Sequence, residues 1–160
     1  MEIIKAKKEH AEVVGHIHSK AWKQTYTDVF SSEYLIEDTP EKRAQEFLDT
    51  CTNENVLYFL MCEDEKAIGI AKLEQDNDSV EIVSLYILEE YRNNGFGKQG
   101  LAHINSLWKT KDIRLWVLKD NLKARNFYEK SGFVNTGLVR TIWRGNTYEQ
   151  LQYEYPHGKI

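Results

Sequence analysis

The stretch EYRNNGFGK, residues 90–98, separates a strand-like run from a helix-like run and governs how the rest of the chain is interpreted. The apolar run VEIVSLYIL (80–88) comes directly before it, and QGLAHINSLW (99–108) carries apolar residues at helical spacing. Gly95 and Gly97 allow the backbone to approach a ligand closely. A helix that begins beside them turns free N–H groups and its positive dipole end toward the same point. The stretch therefore predicts an anion-binding loop.

Two common glycine-loop motifs do not explain this loop. A Walker loop has a glycine five residues before its Gly-Lys pair and Ser or Thr after the lysine, but those positions hold Arg92 and Gln99. Residues 95–100 match the dinucleotide pattern G-x-G-x-x-G, yet no second βαβ unit with an acidic ribose partner follows. The remaining pattern is R-x-x-G-x-G at Arg92, Gly95 and Gly97, whose successive N–H groups form a nest for the oxygens of a diphosphate.

Composition and charge limit the class of protein. The 160 residues are 41 % apolar and 29 % charged, as in an ordinary globular protein, and we expect one domain over 1–160. The net charge of −4 argues against a general nucleic-acid binder. Residues 1–91 hold nine Lys/Arg and twenty Asp/Glu (−11), whereas 92–130 hold nine and three (+6). An anionic ligand suits the loop region, and a cationic second ligand suits the acidic half.

No apolar stretch has the length of a signal peptide or a membrane span, so we expect a cytoplasmic protein with no membrane partner. Cys51 and Cys62 lack metal-like spacing, and we expect both to be reduced. His16 and His18 fall on different faces of a predicted helix. With His10, His103 and His157 scattered elsewhere, the sequence predicts no metal site.

Hydrophobic periodicity and turn signals predict twelve elements in the order β-α-α-α-β-β-β-α-β-α-β-β. Pro40 opens one helix, Asp120 or Asn121 caps another, and Gly132 ends it. The predicted strands are β1 2–6, β2 55–63, β3 67–75, β4 79–88, β5 113–118, β6 133–143 and β7 147–156, and the predicted helices are α1 9–22, α2 31–38, α3 40–51, α4 from about 97 to 108 and α5 122–131.

Connection lengths predict how these strands pair. Strands β2, β3 and β4 follow one another through short turns and form an antiparallel meander, and β6 and β7 flank a hairpin turn at 144–146. Because a helix joins β4 to β5, these two are expected to be parallel neighbours. The fold class is α+β, with one mixed, mostly antiparallel sheet flanked by helices.

Two stretches taken together resemble the GNAT superfamily of acetyl-CoA-dependent N-acetyltransferases. Residues 83–101, VSLYILEEYRNNGFGKQGL, are similar to the family's pyrophosphate-binding motif with its preceding strand. Residues 115–133, LWVLKDNLKARNFYEKSGF, are similar to the strand–helix element that follows it. The second stretch meets the pattern N-x-x-A-x-x-x-Y-x-x-x-G-F with Asn121, Ala124, Tyr128, Gly132 and Phe133. The stretch AWKQTY (21–26) further resembles small bacterial polyamine acetyltransferases.

The resemblance implies a binding site for acetyl-CoA. The backbone from Arg92 through Lys98 would hold the pyrophosphate, and main-chain groups of β4 would pair with the pantetheine arm. Asn121 would donate a hydrogen bond to that arm and Ala124 would leave room for it, while Lys98, Lys123 or Arg125 would meet the 3′-phosphate. The residues implied in cofactor binding are Leu85, Tyr86, Ile87, Arg92, Asn93, Asn94, Gly95, Phe96, Gly97, Lys98, Asn121 and Ala124.

The resemblance also implies catalytic roles. Acetyl transfer requires a neutral amine, a stabilised oxyanion and a protonated leaving thiolate. Tyr128 matches the tyrosine that protonates the thiolate, although its spacing with Phe127 also suits core packing. A β4 N–H near Ile87 would polarise the carbonyl. Glu81 occupies the place of a general base in some members, and an exposed strand-end glutamate is the alternative. Strand alternation predicts Glu81, Val83, Leu85 and Ile87 on one face.

The acceptor site is expected between the first two helices and the β6–β7 hairpin. Candidate wall residues are Trp22, Tyr26 and Glu149, together with Trp143 and Tyr148, although each aromatic side chain also suits core packing. The acidic N-terminal half favours a cationic acceptor, such as a polyamine, an amino sugar or a peptide amine.

The sequence thus predicts direct acetyl transfer to a primary amine of a small cationic molecule or peptide. An acyl-enzyme is not expected, because neither cysteine lies in the motif region. Two alternatives stay open: a non-catalytic coenzyme A-binding sensor, and a nucleotide-binding domain that uses the loop for ATP or NAD. A homodimer through the sheet or the hairpin is expected from the habit of the family.

Overall fold

The structure is a computed structural model that describes residues 1–156; His157, considered above as a metal ligand, lies outside the described residues. The twelve predicted elements are present in the predicted order, with short 3-10 turns at Lys8–His10 and Glu89–Tyr91. The strands are β1 Glu2–Lys5, β2 Val56–Glu63, β3 Lys66–Gln75, β4 Ser79–Ile87, β5 Asp112–Leu118, β6 Val134–Trp143 and β7 Thr147–Tyr155, and the helices are α1 Ala11–Tyr26, α2 Ser32–Leu35, α3 Pro40–Thr50, α4 Phe96–Leu107 and α5 Leu122–Lys130.

All seven strands form one sheet in the order β1-β2-β3-β4-β5-β7-β6. Strands β4 and β5 are parallel and every other neighbouring pair is antiparallel, so the predicted mixed α+β sheet is confirmed. The predicted caps also form: Thr39 accepts a hydrogen bond at the start of α3, Asn121 does so at the start of α5, and Gly132 follows α5 with a φ of +94°.

The parallel pair is short, and this opens the sheet. Residues 79–82 of β4 pair with 112–115 of β5, and the pairing then stops. From residue 83 onward β4 pairs with β3 alone, while β5 continues beside β7. The two strands therefore separate and leave a split in the middle of the sheet.

A bulge in β4 corrects the predicted alternation. The register against β3 shifts between Lys72 and Leu73, which leaves Val83 without a partner. Ile82 and Leu85, three residues apart, consequently pack on the same cluster. The prediction that Glu81 shares a face with Leu85 and Ile87 is wrong, since the extra residue moves Glu81 to the face of Tyr86.

Helices cover both faces of the sheet. Residues of α4 and α5 pack on one face, and α1, α2 and α3 cover the other. Helices α1 and α3 approach closely at Gly15, where a Cβ would lie 2.3 Å from the Pro40 carbonyl oxygen. The larger side chains of the first face include Leu101, Ile104, Leu115 and Tyr153; those of the second face include Ile17, Phe47, Ile70, Trp22 and Phe30.

Within residues 1–156, no helix has both the length and the apolar character needed to cross a membrane. The same residues contain no group of three or more His, Cys, Asp or Glu side chains arranged to hold a metal ion.

Candidate active site

A cleft of about 1070 Å³ lies where β4 and β5 separate. Its walls come from both faces of the sheet: Ala124 and Tyr128 of α5 lie on one side, and Trp22 of α1 and Arg43 of α3 lie on the other. Because the split joins the two faces, one ligand can enter from the side of α4 and α5 while a second enters from the side of α1.

The glycine loop lies at one end of this cleft with unused donors. None of the backbone N–H groups of residues 93–98 donates to an acceptor within residues 1–156, whereas the Gln99 N–H bonds the Gly95 carbonyl. Asn93 and Gly95 both have positive φ, at 65° and 80°. A run of free N–H groups that ends in the first turn of α4 matches the predicted anion site.

Arg92 anchors the loop instead of extending into the cleft as a free cation. Its Nε donates to the Ile87 carbonyl at 2.9 Å, and its Nη2 donates to Thr25 Oγ1 at 3.1 Å. Its backbone N–H already bonds the Glu89 carbonyl. The loop is therefore fixed to β4 and to α1, and its donors begin at Asn93.

The unpaired edge of β4 supplies further main-chain groups. The Leu88 N–H donates to Ile68 of β3, so by antiparallel alternation the Ile87 N–H points away from β3, toward the split. No strand of the sheet pairs with this edge beyond Ile82. The N–H and C=O groups of Leu85 and the Ile87 N–H can thus pair with an extended ligand, while the Ile87 C=O already accepts from Arg92.

Helix α5 begins at the opposite side of the cleft. The Asn121 side-chain oxygen accepts a hydrogen bond from the Ala124 N–H at 3.1 Å, which leaves its amide NH₂ free to donate to a ligand. Lys98 and Lys123 also line the cleft. Arg125 does not line it, because its guanidinium bonds the Tyr153 hydroxyl and the Lys119 carbonyl.

Tyr128 lies against Phe127 and Phe133 with its hydroxyl free of any hydrogen bond to residues 1–156. Burial, reinforced by the nearby Tyr86, raises the pKa of the Tyr128 phenol well above its ordinary value. The phenol is therefore protonated across the neutral range and can donate its proton or a hydrogen bond to a thiolate.

Glu81 lines the cleft on the acceptor side and is half-buried. Burial raises the pKa of its carboxyl group, Glu74 on β3 raises it further, and Arg140 and Lys72 oppose the shift. A carboxylate with a raised pKa is a better proton acceptor than an ordinary surface glutamate.

Aromatic side chains form the acceptor wall. Trp22 and Tyr26 of α1 pack with Phe30 and Tyr34, and the Tyr26 hydroxyl lies 3.5 Å from the Tyr86 hydroxyl. Tyr148 supports this wall from behind, since its ring contacts Phe30 and its hydroxyl donates to the Val29 carbonyl.

Five predicted side chains do not line the cleft. Glu149 alternates with Tyr148 along β7, lies on the face of Leu151 and forms an exposed ion pair with Lys119 at 3.2 Å. Trp143 is 67 % exposed outside the cleft. Asn94 donates to the carbonyls of residues 91 and 92 and stabilises the loop from outside. Tyr148 and Arg125, described above, do not line the cleft either, and the remaining predicted cofactor, catalytic and substrate residues do.

The sequence motifs did not indicate the charged side chains at the acceptor end. Arg43, Glu46, Arg140 and Arg144 line it, and none belongs to the loop or to the α5 pattern. The only available signal was the even spacing between Arg140 on predicted β6 and Arg144 in the hairpin turn that follows it.

Comparison with known proteins is consistent with this geometry. Residues 19–133 match the model of the acetyltransferase (GNAT) family. A spermidine N(1)-acetyltransferase of Thermoplasma acidophilum is 30 % identical over 141 residues, which cover 83 % of this chain and 88 % of that protein. A probable N-acetyltransferase of Mycobacterium tuberculosis is 26 % identical over 137 residues, covering 82 % and 78 %.

Solved structures share the fold. The PaiA N-acetyltransferase of Thermoplasma acidophilum, in complex with coenzyme A, superposes with a TM-score of 0.76 at 25 % identity and covers 94 % of this chain and 96 % of that one. The ribosomal-protein-S18-alanine N-acetyltransferase of Escherichia coli gives a TM-score of 0.75 at 16 % identity, with 99 % and 95 % coverage.

Proposed function

Because this chain belongs to the acetyltransferase (GNAT) family, it is an acetyl-CoA-dependent N-acetyltransferase, and we propose that its acceptor is a primary amine of a small cationic molecule or peptide. The observation that carries the proposal is the cleft itself. Free N–H groups for a diphosphate lie at one end, and an aromatic wall with carboxylates lies at the other.

The residues present fit coenzyme A. The N–H groups of residues 93–98 would hold the pyrophosphate, and the open edge of β4 at Leu85 and Ile87 would pair with the pantetheine arm. The Asn121 amide would donate to the same arm. Lys98 and Lys123 are the lysines placed to meet the 3′-phosphate.

Acetyl-CoA supplies the acetyl group as an activated thioester. The Ile87 N–H, which points into the split, would donate to the carbonyl oxygen as negative charge develops there. Tyr128 is protonated at neutral pH and would donate a hydrogen bond or its proton to the departing thiolate.

Glu81 is the proposed proton acceptor for the amine, acting directly or through water. Its half-buried position and raised pKa support that role. The cationic character of the acceptor is supported by carboxylates that line the same end, Glu37, Asp38, Glu46 and Glu81. Asp38 and Glu46 offset Arg43, so Glu37 and Glu81 are the ones without an ion pair among residues 1–156.

A homodimer through the sheet edge stays a prediction. Strand β6 is the edge strand, is exposed along nearly its whole length, and carries four exposed apolar side chains that a second copy would cover. These are Val134, Leu138, Val139 and Trp143.

The test is thiol release from acetyl-CoA with spermidine, an aminoglycoside, amino acids and short peptides, comparing the wild type with Tyr128→Phe. We expect turnover with at least one amine and a fall of about 10²-fold or more in kcat for the variant, the usual size of a general-acid contribution. Coenzyme A binding should persist. Tight coenzyme A binding without acetylation of any amine would favour the alternative function, a coenzyme A sensor.

A further inference from the structure

We propose that Arg140 and Arg144 form a carboxylate-binding subsite, so that the acceptor is an amine that also carries a carboxylate, such as a basic amino acid. This inference rests on the proposed function and specifies the acceptor class at the same site. A basic amino acid still has the net positive charge that the acidic residues favour.

The first observation is the position of the two arginines, Arg140 on β6 and Arg144 in the turn that follows it. Arg140, Ile142 and Arg144 line the cleft, while the intervening Thr141 and Trp143 do not. Ile142 packs against the aromatic wall of Trp22 and Phe30, which fixes this face of the strand toward the acceptor end.

The guanidinium of Arg140 is held in place while its two terminal nitrogens stay available to a ligand. Its Cζ lies 4.4 Å from the centre of the Trp116 ring, and its Nε donates to Gln150 Oε1 at 2.8 Å. Its two terminal nitrogens make no hydrogen bond or ion pair within residues 1–156. A planar, pre-oriented pair of N–H donors is the arrangement that binds a carboxylate through both oxygens.

Arg144 is fixed by the turn that carries it. The turn packs on α2 so closely that a Cβ at Gly145 would lie 2.9 Å from the Tyr34 Cβ. Arg144 Nη1 donates to the Trp143 carbonyl at 2.7 Å, and no carboxylate of residues 1–156 lies within 4.0 Å of its guanidinium. Its positive charge therefore remains at the cleft without a counter-ion.

The charges around this pair are unbalanced. Partial burial lowers the pKa of Arg140, Glu81 opposes that shift without forming an ion pair, and the charge of Arg144 lowers the pKa further. Two neighbouring guanidinium groups at the acceptor end thus repel each other. A bound carboxylate would relieve that repulsion, and Glu37 and Glu81, which line the same cleft, would attract an ammonium group.

The phosphates of coenzyme A do not account for these arginines. Arg140 interacts with Glu81, near the start of β4, whereas the glycine loop follows the end of the strand. Six residues of strand separate Glu81 from Ile87, which is roughly 20 Å at about 3.3 Å per residue. The loop binds its diphosphate at one end, and Arg140 lies toward the other, while Arg144 lies within electrostatic range of Tyr26 and Tyr86 on the face of α1.

Lysine and cadaverine provide the test because they differ only in the carboxylate. Their binding is measured by calorimetry on the coenzyme A-loaded protein, so that the result does not depend on turnover. We expect lysine to bind at least about tenfold more tightly than cadaverine, which corresponds to about 1.4 kcal/mol. Arg140→Gln and Arg144→Gln should each bring the two affinities within about threefold, while Arg140→Lys keeps the charge but loses the fork and should retain part of the preference.

Lys66→Gln is the matched control, since Lys66 is exposed, lies outside the cleft and loses the same charge. It should keep the wild-type preference. Equal affinities in the wild type, no binding of either ligand, or a preference that persists in both glutamine variants would overturn the subsite. Thiol release tests the proposed function separately: turnover with carboxylate-free amines alone would keep that function and remove this subsite. Lysine-selective binding without any turnover would keep the subsite and remove the proposed function.

Discussion

His18 places an imidazole ring in the core beneath the acceptor wall. The side chain is 1 % exposed, packs between Tyr58 and Tyr86, and neither ring nitrogen has a hydrogen-bond partner among residues 1–156. Burial lowers the pKa of His18 well below its ordinary value, and the positive charges of Arg43 and Lys72 lower it further. The folded protein therefore holds His18 neutral where an exposed histidine would take up a proton.

Because of His18, the free energy of unfolding should decrease as the pH is lowered. Above about pH 6.5 His18 is neutral in both states, but below it the unfolded chain binds a proton that the folded chain does not. The free energy of unfolding should then decrease by up to about 1.4 kcal/mol per pH unit. His18→Leu should remove that slope between pH 6.5 and 5.5 in urea titrations. His16→Gln, at an exposed position, should keep it, and parallel curves for His18→Leu and the wild type would contradict the assignment.

A substitution at Gly97 can test the role of the loop in coenzyme A binding without destabilising the fold. Its φ is not in the left-handed region, and an added Cβ would make ordinary contacts of 3.6 Å with Phe127 and 3.9 Å with Ile87, both in the cleft wall. Gly97→Ala should leave stability unchanged or raise it by up to about 1 kcal/mol, since alanine favours the helix. Because the methyl group occupies the diphosphate cradle, coenzyme A should bind at least about tenfold more weakly. Unchanged coenzyme A affinity by calorimetry would contradict the cradle.

At the scale of the element, the N-cap residue of α5, Asn121, has two roles. The Asn121 side-chain oxygen caps the helix, and its amide group is free to donate to the pantetheine arm. Asn121→Asp keeps the cap but loses the donor, so it should fold with wild-type stability and bind coenzyme A more weakly. Asn121→Ala should also lose about 1 kcal/mol of stability with the cap. Equal coenzyme A affinity for the wild type and Asn121→Asp would assign Asn121 to capping alone.

The elements whose signals are local were predictable, and the irregular ones were not. Pro40, Asn121 and Gly132 mark helix ends through their own backbone chemistry, so the helix order followed from the sequence. The bulge at Val83 depends on register with β3, which no local signal specifies, and it moved Glu81 to the opposite face. Sequence distance also could not show that α3 would bring Arg43 to the site.

The acceptor end illustrates the same limit. Glu149 was selected for its charge and its place in the hairpin, but period-two alternation turns it to the face of Leu151 and toward Lys119. Arg140 on the other strand of that hairpin and Arg144 in its turn both reach the cleft. Which hairpin strand faces the cleft is decided by packing of Ile142 and Tyr148 on the α1 side, a long-range contact.

At the scale of the whole molecule, the sheet consists of two parts that meet over a short distance. Strands β1 to β4 form one part and β5 to β7 the other, joined by the pairing of residues 79–82 with 112–115. The short junction makes the active site, because the split beyond it connects the cofactor face with the acceptor face. The opening would allow the proposed direct transfer between two ligands, with the Ile87 N–H and Tyr128 at its borders.

Coenzyme A should therefore protect a specific set of amides from hydrogen exchange. The N–H groups of residues 93–98 have no acceptor within residues 1–156, and Ile87 faces the open split, so these amides should exchange fast in the free protein. Saturating coenzyme A should slow them by about tenfold or more, as each N–H gains an acceptor. Amides that pair β2 with β3, far from the split, serve as the internal control and should change little. Uniform protection along the chain would mean general stabilisation by ligand, and protection that misses residues 93–98 would show that the diphosphate binds elsewhere.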